Sequence, residues 1–178
     1  MFKHRGTGEY TVIHNDNDAI WQFLREQPLL CGFNNKAYDN FILKAVAADC
    51  TPQEVKALSE YLIDGGQGWQ HPLMRGNPVF VTSFDIRDDM YEGLSLKACE
   101  GHLGMSVVES SVPFDLDRPL TDEELDEILG IVYLTDLFGH IDAPGFDLRK
   151  VIRQPLHSMP RSATTIRKDW PKTPVWTV

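Results

Sequence analysis

The sequence predicts an α/β domain, and three observations carry that prediction. A short apolar run, 29–33, leads through a polar turn straight into residues spaced as a helix face. A second apolar run, 79–85, ends in a lone acid. Two further helices carry their own start signals at Thr51 and Thr121. Strands that alternate with helices fit an open α/β sheet.

The elements follow in order. A basic start, Met1-Phe-Lys-His-Arg5, precedes a short strand at Glu9–Ile13. A helix from about Asp18 to Glu26 contains Ile20, Trp21, Phe23 and Leu24. The run Leu29–Phe33 has the length and flanks of a buried strand, and Asn34 and Asn35 offer side-chain hydrogen bonds that end it in a turn. Ile42, Leu43, Val46 and Ala47 then recur at helical spacing, with Tyr38 and Asp39 at the helix start, where the dipole favours an acid. Asp39 therefore lies at a strand-to-helix junction, where open α/β sheets collect their ligands.

Thr51 caps a helix opened by Pro52 and running to about Tyr61, and Gly65-Gly-Gln-Gly68 ends it. A loop continues to Pro78. Trp69 on that loop has two readings, a base-stacking ring or a cover for the core edge. A strand is expected to run from Val79 to Asp85, with Asp85 ending it and capping the following turn. Thr121-x-x-Glu124 is a capping box for a long helix ending near Gly139. Beyond Pro144, four prolines between 155 and 174 forbid a long helix, and Trp170–Trp176 reads as an extended arm or as disorder.

Composition bounds the class. With 178 residues, 42% of them hydrophobic, the chain is long enough for one domain with a real core. It contains no apolar run of membrane-spanning length and no secretory start, so a cytoplasmic protein without membrane association is expected. Cys31, Cys50 and Cys99 lack metal spacing and read as reduced thiols, and the six histidines include no His-x-x-x-His pair. The net charge of −9 is unevenly spread: from Asp147 onward seven Lys and Arg face two Asp, about +5, which leaves about −14 on residues 1–146. The chain thus divides into a body, 1–146, and a basic, proline-containing extension, 147–178. The extension is either a solvated counterweight to the acidic body or an arm adding sequence-independent affinity for phosphates.

Three blocks together resemble one family. Asn35-x-x-Tyr38-Asp39 after a Gly-Phe strand is similar to the second motif of the DEDD-type, DnaQ-like 3′-5′ exonucleases, which include the proofreading domains of DNA polymerases and their phage and prophage relatives. Val79–Asp85 followed by Ser95-Leu-Lys97 and Leu103-Gly104 resembles the next strand and helix of the phage members. Leu120–Leu137, with Tyr133 and Asp136, resembles the helix of the third motif. The resemblance spans roughly residues 10 to 140. It implies a ribonuclease H-like mixed sheet with flanking helices, N-terminally truncated, because the strand bearing the family's first motif, Asp-x-Glu, does not precede the second motif here. A second departure is that Tyr133 stands three residues before Asp136, where the family has four.

What the resemblance implies is specific. Complete relatives hydrolyse DNA from a single-stranded 3′ end with two Mg²⁺ or Mn²⁺ ions. Asp39 and Asp136 correspond to metal ligands, Tyr133 to the residue that orients the attacking water, and Asn35 and Tyr38 to contacts with the terminal nucleotides. Hard divalent ions need several anionic oxygens, so Asp39 and Asp136 without the first-motif acids imply a weak or lost metal site. The expectation is a truncated or degenerate exonuclease-like domain. The alternative is a non-catalytic module that binds nucleic acid or a replication partner. Because the missing strand is central in the family's sheet, exposed edges and self-association are also expected.

Overall fold

The computed structural model describes residues 1–4, 7–27, 29–90, 95–102, 110–113, 116, 118–134 and 176–177. They fall into two compact units, one of Met1–Met90 with Pro160–Val178 and one of Tyr91–Met159. The α/β class holds: among the described residues, five short strands and five α-helices are interleaved along the chain.

The first unit contains the sheet. Its strands are β1 (Phe2–His4), β2 (Tyr10–Thr11), β3 (Leu30–Gly32), β4 (Ser83–Asp85) and β5 (Trp176–Thr177), in the order β2-β1-β5-β3-β4. β1 is antiparallel to both β2 and β5, whereas β3 is parallel to β5 and β4. The basic start of the chain is thus a strand. Its hairpin to β2 closes through Gly8 at φ 75°, with His4 N–H donating to the Glu9 carbonyl at 2.7 Å. At the other end of the sequence, Trp176 and Thr177 lie at the middle of the sheet, where an aromatic and a β-branched residue suit a pleated surface. Through them β5 links the β1–β2 hairpin to β3 and β4.

Three helices accompany this sheet. α1 (Asn17–Glu26) is capped by the Asp16 carboxylate, which accepts the Ala19 N–H at 2.8 Å. α2 (Asp39–Ala47) begins without a side-chain cap at Tyr38. α3 (Pro52–Ile63) carries a full capping box, in which Thr51 Oγ accepts the Glu54 N–H and the Glu54 carboxylate accepts the Thr51 N–H at 2.8 Å. Gly65 follows at φ 87°, the left-handed geometry that ends helices. The expected loop to Pro78 contains two 3₁₀ turns, Gly68–Gln70 and Pro72–Met74.

α2 lies between two apolar clusters. On one side Phe2, Phe23, Leu24, Leu30 and Val79 are buried, with Leu43, Ala47 and Ala48 packed against them and the rings of Phe2 and Phe23 stacked at 4.2 Å. On the other side Ala45, Leu58 and Leu62 are buried, joined by Tyr38, Phe41, Ile42 and Val55. Burial of this apolar surface orients α2, and with α2 the acid at its first position.

The strand expected at Val79–Asp85 is shorter, covering Ser83–Asp85. Val79 is buried in the first cluster all the same, but its N–H goes to Asn77 Oδ1 at 2.9 Å instead of to a neighbouring strand.

The second unit holds α4 (Leu96–His102) and α5 (Asp122–Leu134). The capping box expected at the start of α5 holds: Thr121 N–H donates to the Glu124 carboxylate at 2.9 Å, and Glu124 N–H donates to Thr121 Oγ at 3.3 Å. Arg118 grips the same carboxylate bidentately at 2.6 and 2.7 Å and holds the Glu124 carboxyl down at about 2. The expected helix end near Gly139 lies outside the described residues. No helix among the described residues is long and apolar enough to cross a membrane.

Candidate functional site

β3 and β4 run in parallel register, with Leu30 opposite Ser83, Cys31 opposite Phe84 and Gly32 opposite Asp85. Their C-terminal ends therefore lie side by side. From one end the chain turns through residues 33–38 into α2, and from the other it enters a 3₁₀ turn at Ile86–Asp89.

Asp85 joins these two exits. Its side chain is buried, and its carboxylate accepts three backbone N–H groups: Asn34 at 2.7 Å and Arg87 at 3.0 Å on Oδ1, and Lys36 at 2.9 Å on Oδ2. Asp85 thus caps its own turn, as expected, and also clamps the turn after β3, 49 to 51 residues earlier in the chain. A buried charge is tolerated where N–H donors surround it in this way. Asn34 adopts φ 59°, an uncommon left-handed conformation that asparagine tolerates better than most residues. Its Oδ1 accepts Arg87 Nη1 at 2.6 Å, so the two turns are also joined at the surface. A further surface contact is the Lys36–Asp88 ion pair at 2.5 Å.

The residues expected to form the site divide into three groups. Asp39, Asn35 and Tyr38 lie on this turn and the start of α2. Tyr133 lies on α5 in the second unit. Asp136 lies outside the described residues.

Asp39 is partly buried. Burial pushes its carboxyl above the usual carboxylate range, a backbone N–H bond at the helix start opposes the rise, and the neighbouring Asp85 charge adds to it. Asn35 is fully buried, with its side chain over Gly32, and its carbonyl accepts the Asn40 N–H at 2.8 Å. Its own amide has no hydrogen-bond partner among the described residues on either Oδ1 or Nδ2. Asn40 donates through Nδ2 to Ser83 Oγ at 2.7 Å, and its Oδ1 likewise has no partner among the described residues. Tyr38 directs its hydroxyl to Ser59 Oγ at 2.6 Å and packs on the second apolar cluster. Trp69 is 67% exposed, which leaves most of its ring open.

The donor set bears on the expected metal. Both oxygens of Asp85 are engaged by N–H donors, so Asp39 is the carboxylate this turn offers to a cation. No group of three His, Cys, Asp or Glu that could hold a metal ion occurs among the described residues. One carboxylate falls short of the several anionic oxygens that Mg²⁺ requires, so the described residues alone do not fit a two-ion centre.

Sequence reasoning found the turn and its acid but missed the roles of Lys36, Asn40 and Arg87, together with the clamp that Asp85 places on the turn. The clamp's only local signal is an acid ending one strand and an Asn-Asn turn ending another, and nothing in either segment announces that the strands are neighbours. Comparison with known proteins finds no matching family model, no matching curated protein and no matching solved structure.

Proposed function

We propose that this chain is a degenerate exonuclease-like domain of the DEDD type, of phage or prophage origin and related to the proofreading domains of DNA polymerases. Its substrate is the 3′ end of single-stranded DNA. The reading is carried by one observation: Asp39 stands at the first position of α2, after the turn that leaves β3, and feels the charge of Asp85, which ends the parallel neighbour β4. Open α/β sheets place ligands at such ends. Asp39, and Asp136 by the resemblance alone, would be the carboxylates left to hold Mg²⁺ or Mn²⁺, a weak or lost site. Bound there, such an ion would supply an activated water for hydrolysis of a phosphodiester. Asp39 would have to be ionised to serve as a ligand, and its burial works against that.

A second reading is favoured by the state of Asp85. Its carboxylate is committed to three N–H donors, so Asp85 is not open to a cation beside Asp39. That suits a module that binds nucleic acid or a replication partner without cleaving.

The test is degradation of 3′-labelled single-stranded DNA with Mn²⁺ by the unaltered chain, Asp39→Ala and Asp136→Ala. Cleavage abolished in both variants supports the exonuclease. DNA binding without cleavage in any of the three supports a nucleic-acid-binding module, and absence of both removes the exonuclease and that module and leaves only the replication-partner reading.

A further inference from the structure

We infer that Lys36 and Arg87 form a two-cation grip on the phosphodiester backbone of single-stranded DNA at the mouth of this turn. This rests on the nucleic-acid reading above and adds two residues to it. The two side chains are 51 positions apart in sequence, yet their backbone N–H groups donate to the same Asp85 carboxylate, at 2.9 and 3.0 Å. The clamp therefore fixes both Cα atoms around one buried group, and both side chains emerge exposed at the ends of β3 and β4.

The Asp88 contact of Lys36 and the Asn34 contact of Arg87 are of a kind a phosphate replaces. Lys36 Nζ meets Asp88 in a pair whose side chains are 51% and 57% exposed, and such pairs are held weakly. Arg87 Nη1 donates to the neutral amide oxygen of Asn34, a bond that fixes the guanidinium plane without neutralising its charge. Arginine offers a fork matched to phosphate oxygens, and lysine adds a point charge. Asn35, on the same turn, is fully buried and has no surface to present to a strand. Lys36 and Arg87 are exposed.

The experiment is a fluorescence-anisotropy titration of labelled oligothymidylate with the full chain over a series of salt concentrations. The unaltered protein is compared with Lys36→Ala, Arg87→Ala, Arg87→Lys and, as a control, the exposed α3 residue change Lys56→Ala. None of these changes removes a backbone N–H, so the Asp85 clamp survives, and thermal melts check the fold. Lys36→Ala and Arg87→Ala are each expected to weaken binding about 3- to 10-fold and to lower the log–log salt slope by about 0.7. Arg87→Lys should keep the slope while losing part of the affinity, and Lys56→Ala should match the unaltered chain. Unchanged affinity and slope in Lys36→Ala and Arg87→Ala would overturn the grip, as would absence of oligothymidylate binding by the unaltered chain. The slope is read without cleavage. Slope changes with no cleavage by any variant would remove the catalytic reading and leave the grip standing.

Discussion

The Asp85 carboxylate accepts the Lys36 backbone N–H at 2.9 Å across 49 residues of intervening chain, and with the Asn34 and Arg87 N–H groups it closes the turn after β3 onto the end of β4. Removing that carboxylate strands three donors at a buried position. Asp85→Ala is expected to destabilise the protein by on the order of 3 kcal/mol, because unsatisfied buried N–H groups and lost charge-assisted bonds both count against the fold. Urea denaturation measures it, and a loss under about 1 kcal/mol would mean that water replaces the clamp at little cost.

Asp39 gives a pH prediction of definite sign. Its carboxyl is raised, chiefly by burial, so the folded chain holds this proton more tightly than the unfolded chain does. Stability from this group is full below the ordinary carboxylate range and is lost as pH rises through the raised value. Asp39→Asn cannot ionise and escapes that loss. The variant is expected to melt above the unaltered protein at about pH 8, with the difference shrinking as pH falls below about 4. A constant difference across that range would show that the Asp39 charge carries no penalty.

How much of this was legible in the sequence depends on how local each signal is. Helix starts were readable because a cap and its acceptor lie three residues apart, as in Thr51 with Glu54 and Thr121 with Glu124. The turn at Asn34 and the acid at the start of α2 were equally local. Strand pairing is not. Phe2–His4 reads only as part of a basic start because one apolar residue among three carries no period, and Trp176–Thr177 follows prolines that forbid a long helix, so it reads as an extended arm or as disorder without announcing a sheet partner. The role of Asp85 was half visible: the cap on its own turn is local, whereas its hold on Asn34 and Lys36 depends on β3 and β4 being neighbours.

The capping box of α3 supplies a prediction on stability alone. Thr51 Oγ accepts the Glu54 N–H at 3.3 Å, and the Glu54 carboxylate returns the bond to the Thr51 N–H. The Thr51 N–H, and after it the Thr51 hydroxyl, both donating to the Glu54 carboxylate at 2.8 Å, hold its carboxyl below the usual range. Thr51→Ala should cost about 1 kcal/mol, the usual effect of losing a threonine N-cap. Thr51→Ser should restore nearly all of it. Equal melting temperatures for the alanine variant and the unaltered chain would place the helix start under the control of packing by Val55 and Leu58 instead.

Gly32 and Asn35 are coupled by space. A Cβ on Gly32 would stand 2.8 Å from Asn35 Cβ and 3.0 Å from its Cγ, and Asn35 is fully buried with no room at the surface to move into. Gly32→Ala should therefore destabilise by about 1–3 kcal/mol, as overpacking does in a filled interior. Asn35→Gly removes both the obstructing Cβ and Cγ and a buried amide that has no partner among the described residues, so its own cost is offset by relief of that unsatisfied group. The double variant should be more stable than the two single losses predict when added, by on the order of 1 kcal/mol, since the methyl group introduced by Gly32→Ala occupies space vacated by the asparagine. Additive losses would mean that the turn carrying Asn35 lifts away from Gly32 once substituted. In that case Asp39, four residues further on, would lose its fixed position beside Asp85 as well.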